Sequence, residues 1–306
     1  MAVIDETLSY PRVTTVGDFF ALLKPRVMSL VVFTGLAGII VAPGHVHLLT
    51  AFTALLCIAL AAGASGALNM AYDSDIDIVM ARTATRPIPM GHVARGDAMT
   101  FGWAIAAMSV ATMWLFVNTL AAGLLAFTVF FYVVVYTLGL KRRTPQNIVI
   151  GGLAGALPPA IGWAAVTGSL SLAPIVLVAI IFMWTPPHFW ALSLWRCEDY
   201  ARAGVPMLPV VKGKTSTRRH IFAYTVLLAP LGVVPAFIGL GGMLYLILSA
   251  SMGFWMLLEA FATLRERDEV REPAAKRLFG VSLLYVFVPF TALIVERLLH
   301  LPALWT

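Results

Sequence analysis

The chain has 306 residues, 60% of them apolar and only 12% charged, with a mean hydropathy of +0.90; soluble domains carry roughly 25% charged residues. This composition excludes a string of soluble domains and predicts a single polytopic membrane domain over 1–306. The formal net charge of +6 does not gather into the basic face that nucleic acid requires, because the lysines and arginines sit in short connections between apolar spans, where they set membrane topology.

Met1 to Thr7 include Asp5 and Glu6 and no basic residue, unlike a secretory signal or an Arg-rich transit peptide. The expectation is an inner-membrane protein with an uncleaved start. Nine apolar spans follow, at 27–44, 48–70, 99–117, 119–139, 147–167, 172–194, 220–238, 243–262 and 278–297, each near the roughly 20 residues a helix needs to cross the hydrocarbon core. Twenty of the 21 lysines and arginines fall at alternate connections, and Arg297 alone lies on the other side. Basic loops stay cytoplasmic, which puts the amino terminus inside and the carboxyl terminus outside. Cys57 and Cys197 have neither disulfide nor metal-ligand spacing.

The connection after span two carries the densest chemistry. Asn69, Asp73 and Asp77 recur every four residues, which places three oxygen-bearing side chains on one helix face, with Asp75 turned to another. Carboxylates this close repel each other unless a cation joins them, and an oxygen-only set suits Mg²⁺, which completes its shell with water and substrate phosphate. Arg82 and Arg86 follow and supply positive charge for a phosphate. Lys141 and Arg142, after span four, are a second basic pair facing the same side; a planar guanidinium favours bidentate phosphate contact.

Span five holds Gly151, Gly152 and Gly155 before Pro158 and Pro159, a small-residue surface for close helix packing with a break in it. Span six carries His188 behind Pro186 and Pro187. An imidazole inside a membrane helix is costly. It could carry protons, pair with a propionate, ligate iron, or hydrogen-bond to a neighbouring helix. Trp184, Trp190 and Trp195 surround it, and aromatic faces steady cations. The loop after span six contains Arg196, Glu198, Asp199 and Arg202. Asp77 to Pro87 and Asp199 to Pro209 have the same spacing, a weak internal repeat that would set two caps, 71–98 and 195–219, over one cavity.

Taken together, Asn69, Asp73 and Asp77, the Arg82 to Pro89 stretch, Leu140 to Gly152, Pro186 to Leu192 and Glu198 to Pro209 resemble the UbiA superfamily of intramembrane prenyltransferases, and within it the haem-farnesylating branch. The resemblance covers roughly residues 20–300. It implies an all-α fold of nine transmembrane helices around a central cavity with cytoplasmic cap loops. It implies transfer of a farnesyl group from farnesyl diphosphate to a vinyl group of haem B, with a hydroxyl added, to give haem O. The implied cofactor is Mg²⁺ on Asn69, Asp73, Asp77 and Asp199; Arg82, Arg86, Lys141 and Arg142 would bind diphosphate; His188 and Arg196 would meet haem; a haem A synthase could act downstream. Asp73, Asp77, Lys141 and Arg142 are the expected catalytic groups. Where the wider superfamily carries two aspartates four apart in the second cap, this chain has Arg196-Cys-Glu-Asp-Tyr200, which fits an anionic macrocycle better than a phenolic acceptor such as 4-hydroxybenzoate. A transporter for an organic anion or divalent cation is the rival of another class; it would place its polar site midway through the membrane.

Overall fold

The computed structural model describes residues 14–304; the amino-terminal start and Arg12 lie outside the described residues. Every regular element among them is helical. The elements are α1 (Val16–Leu22), α2 (Pro25–Val41), α3 (Leu48–Tyr72), α4 (Ser74–Val79), α5 (Arg95–Phe116), α6 (Thr119–Phe130) continued by a π-helical segment (Phe131–Leu140), α7 (Asn147–Ala156), α8 (Pro158–Thr167), α9 (Leu172–Trp195), α10 (Cys197–Arg202), α11 (Leu208–Phe237), α12 (Met243–Leu264) and α13 (Pro273–Leu298). Eight helical spans of the described residues are long and apolar enough to cross a membrane, with α6 plus the π segment and α7 plus α8 each counting as one. The number becomes nine if α1 and α2, bent by 61°, form a single span. The all-α reading holds, and the nine apolar stretches match the spans in place.

Local chemistry fixes the breaks. Thr15 and Asp18 form a capping box that starts α1. Pro158 and Pro159 open α8 at the first helical positions, so span five is two short helices joined at Leu157. Pro186 and Pro187, by contrast, lie inside α9, which runs through them; neighbouring helices in a membrane protein tolerate this. Small residues set the closest crossings. A Cβ at Gly38 would stand 2.1 Å from the Pro159 carbonyl oxygen, and one at Gly162 would stand 2.2 Å from that of Gly35, so α2 and α8 touch backbone to backbone.

One boundary differs strongly from the sequence reading. Span seven begins at Leu208, twelve residues before 220, and is kinked at Gly213 (φ 77°, ψ 163°). The hydropathy of its first turns is low because they carry Lys212, Lys214, Arg218 and Arg219, so an apolar window misses them. Arg218 is nonetheless buried and holds Glu272 at 2.8 Å. The 195–219 loop is therefore largely helical. The two caps also share a plan: α3 and α9 each give way, at Asp73 and Arg196, to a six-residue helix, α4 or α10. Ile76 and Met80 of the first cap pack with Tyr200, Val205 and Met207 of the second in one apolar cluster.

Candidate functional site

The basic ends of α3, α4, α6 with its π segment, and the α1–α2 junction converge on one buried polar cluster. Asn69, Asp73 and Asp77 are 5%, 0% and 2% exposed. Asp73 is both the last cap of α3 and the first of α4 (φ −96°, ψ 13°), yet the Asp77 N–H still donates to the Asp73 carbonyl at 2.8 Å. The break thus leaves the helical spacing intact. Asn69 Nδ2 donates to Asp73 Oδ2 at 2.6 Å.

Each member of the triplet meets a basic side chain from a different part of the chain. Lys141 Nζ is bonded to Asp73, Arg86 Nη1 to Asp77 at 2.6 Å, and Lys24 Nζ to Asn69 Oδ1 at 3.1 Å. Arg142 forks onto Asp75 with two 2.7 Å bonds and reaches Asp73 at 3.5 Å. The Arg142 hydrogen bond holds the Asp75 carboxyl at about 2, well below the usual carboxylate range. Asp75, set apart on the sequence's helix wheel, is therefore the anchor of a predicted phosphate-binding arginine.

The π segment aims this basic pair. Its i→i+5 pattern carries Lys141 N–H to the Tyr136 carbonyl at 2.9 Å, and Thr137 accepts from Asn69 Nδ2 at 3.2 Å. Such segments cluster at functional sites because they rotate side chains relative to an α-helix. Asn147 clasps the Lys141 carbonyl at 3.1 Å. Neither Thr137 nor the π register leaves a hydropathy signal. Lys24 was legible only as a topogenic charge. It occupies a left-handed conformation (φ 52°, ψ 56°) immediately before Pro25, a costly backbone for a side-chain-bearing residue, and it threads past Gly66 to reach Asn69.

Arg82 does not join the acidic cluster. It is exposed and stands beside Tyr200 of the second cap, where its charge opposes the upward push of burial on the phenol. Asp199 differs from the expected ligand set. It is clasped by Arg202 and by Arg196 at 3.6 Å, two guanidiniums on its own cap, and among the described residues no three His, Cys, Asp or Glu side chains converge to hold a metal. Arg196, expected at haem, spends part of its guanidinium on that pair. His188 is buried between Trp184 and Phe279.

The donor set suits a hard divalent cation. Asn69, Asp73 and Asp77 offer oxygen ligands only, and Lys141 and Arg86 already place positive charge against the two carboxylates. One amide and two carboxylates leave coordination positions for water and phosphate, the habit of Mg²⁺. A cluster of paired acids and surplus bases at one end of the spans is arranged to take up an anion with its counter-ion.

The UbiA prenyltransferase family matches residues 31–284. A protein from Parvibaculum lavamentivorans named protoheme IX farnesyltransferase is 58% identical over 299 residues, covering 97% of this chain and 94% of its own. One of the same name from Nitrobacter hamburgensis is 54% identical, with both chains covered completely. Among solved structures, a UbiA homologue from Aeropyrum pernix K1 superposes with a TM-score of 0.73 at 20% identity, covering 89% of this chain and 98% of that one. A UbiA homologue from Archaeoglobus fulgidus bound to DMAPP and Mg²⁺ gives 0.68 at 17% identity, covering 91% and 99%. At these identities the structures share the fold.

Proposed function

The chain belongs to the UbiA prenyltransferase family, and from that premise we propose that it transfers a farnesyl group from farnesyl diphosphate to a vinyl group of protohaem IX, giving haem O. One observation carries the diphosphate half: Asp73 and Asp77, buried at the end of one span, are bonded to Lys141 and Arg86 from two other segments. The acceptor is supported by relatives named for protohaem farnesylation that align with nearly the whole chain.

In this reading one domain spans 1–306, and the segments 71–98 and 195–219 cap the site. Asn69, Asp73 and Asp77 hold the divalent cation, Mg²⁺. When bound, that ion neutralises diphosphate oxygens and so aids departure of the leaving group. Asp199 of the second cap is the further acidic group assigned to the metal side, and reaches it only by leaving Arg196 and Arg202. Lys141 turns from Asp73 to the diphosphate, Arg142 meets it while Asp75 holds its guanidinium in place, and Arg86 and Arg82 add further positive charge. These groups stabilise negative charge as the bond from farnesyl C1 to the diphosphate oxygen breaks. The vinyl π electrons form the new carbon–carbon bond, water adds its oxygen to the other vinyl carbon, and one proton is released. Apolar spans keep bulk water from the allylic cation until that bond forms. Arg196, exposed where α9 ends, is placed for a haem propionate. The protein sits in the inner membrane with its amino terminus cytoplasmic and its carboxyl terminus periplasmic. Its product, still a haem, is a fit substrate for a haem A synthase.

The test is direct. Purified protein with farnesyl diphosphate, Mg²⁺ and haem B should give haem O by mass spectrometry. Prenylation of 4-hydroxybenzoate and not haem would replace the acceptor, and diphosphate flux into sealed vesicles without any product would replace the enzyme by a transporter.

A further inference from the structure

His188 is 7% exposed and lies seven residues before the end of α9, ~10 Å below the basic end at the rise of an α-helix. Both ring faces are covered: Trp184 and Phe279 each stack at 4.4 Å with an interplanar angle of 22°. Only the ring edges remain. On one of them Nδ1 lies 2.7 Å from Ser282 Oγ. Ser282 has a single hydroxyl proton, and it goes to the Phe279 carbonyl at 2.7 Å, which can only accept. Ser282 must then accept from His188, so Nδ1 carries the hydrogen and Nε2 keeps an in-plane lone pair. Ser282 also fixes the wall, since its carbonyl accepts from Trp184 Nε1 at 2.6 Å. No hydrogen bond reaches Nε2 among the described residues, yet it is not one of the sealed atoms without a partner. Phe189 also meets the ring edge-on at 5.3 Å, and Nε2 is left unbonded.

We infer that His188 binds the acceptor through its iron: Nε2 is an axial ligand to protohaem, and Ser282 is the positioning residue that sets the required tautomer. The inference rests on the haem reading above and deepens it. The alternatives that the sequence leaves open fit less well. A propionate needs a donor, and the one N–H is already given to Ser282. A proton carrier would become an imidazolium between two apolar rings with no carboxylate bonded to it, an expensive burial. A merely structural histidine would spend both nitrogens, and Nε2 is unspent. A metal-ligating imidazole, by contrast, characteristically gives its other N–H to an oxygen that fixes its orientation.

The readout is haem binding to the full-length protein in detergent or nanodiscs, followed by the Soret band and electron paramagnetic resonance. His188→Ala should lose the nitrogen-ligand signature and bind haem at least 10-fold more weakly, and added imidazole should restore the signature. Metal-free protoporphyrin IX should bind wild type and His188→Ala within about twofold of each other. Ser282→Ala should keep ligation with a several-fold loss of affinity. Farnesyl diphosphate binding that matches wild type certifies the variants as folded. An unchanged Soret band in His188→Ala, or an equal loss of metal-free porphyrin, overturns the ligand assignment. Wild type that farnesylates haem while His188→Ala keeps its spectrum defeats this inference alone. Wild type that binds no haem and modifies another acceptor defeats the reading beneath it as well.

Discussion

Asp73 is wholly buried and accepts from Asn69, Lys141 and Arg142. Replacing it by Asn keeps the shape and removes the charge. Asp73→Asn should therefore insert normally and lose product formation by about 100-fold or more, the scale of removing a preorganised electrostatic group; turnover of detergent-purified variant checks it. Lys24→Met removes one hydrogen bond to Asn69, about 0.5–1.5 kcal/mol, and should slow turnover by roughly 2- to 10-fold while haem affinity holds. Asp75 gives a pH prediction. Its folded pKa, about 2, lies below its unfolded value of ~3.9, so the Arg142 contact is fully present above that unfolded value and is lost only as pH falls toward 2. Asp75→Asn should raise KM for farnesyl diphosphate several-fold, by a factor constant from about pH 5 to 9; a factor that collapses within that window counts against the anchor. The acidic triplet, Arg86, Lys141 and Arg142 were legible in the sequence because charge beside an apolar run is conspicuous. Lys24 and Asp75 were not, since their roles depend on a left-handed backbone and on a partner 67 residues away. Asp199 was legible as an acidic group of the second cap, but helical spacing cannot say that Arg196 and Arg202 of its own cap pair with it.

Hydropathy located the spans, and the proline pair located the break at Pro158; the break at Asp73 falls inside the helical spacing and left no turn signal. The basic first turns of α11 and the π segment escaped. The former look like loop in a hydropathy window, and the latter differs from an α-helix only in hydrogen-bond register. The glycines of the spans are unequal, and space decides between them. Gly38 lies against backbone, with the Pro159 carbonyl oxygen 2.1 Å from a built Cβ, whereas Gly155 in α7 faces nothing within 4 Å. A backbone neighbour cannot rotate away, so Gly38→Ala must part α2 from α8. Overpacking of this kind costs about 1–3 kcal/mol or more. The expected result is a lower thermal midpoint and poor recovery in mild detergent. Gly155→Ala relieves a helix-interior glycine of about 0.5–1 kcal/mol and should hold or raise the midpoint. Equal behaviour of the two variants in a thermal-shift assay would reject the α2–α8 contact.

For the molecule as a whole, the sequence's weak repeat proves to be architectural: α3 with α4 and α9 with α10 are built alike, and their caps meet through Ile76, Met80, Tyr200, Val205 and Met207. Sequence spacing could not show that they touch. Both caps lie at the basic end, and this sets the compartment expected for the site. Among the described residues only one basic side chain, Arg297, falls at the other end, where it donates to the Ala42 carbonyl at 3.2 Å. That bias predicts a cytoplasmic site. A diphosphate cannot cross the hydrocarbon core unaided, since an unpaired charge there costs several kcal/mol or more. The prenyl donor must therefore arrive on the side where Lys141 and Arg86 stand. Single cysteines in a Cys197→Ser background measure this orientation, because the remaining Cys57 is buried. His45→Cys and Ser169→Cys, at exposed positions opposite the caps, should react with a membrane-impermeant maleimide in cells whose outer membrane is opened. Met90→Cys and Asp268→Cys, exposed at the basic end, should react only after the inner membrane is breached. The reverse pattern would put the diphosphate site on the periplasmic face and leave it without a cytoplasmic donor.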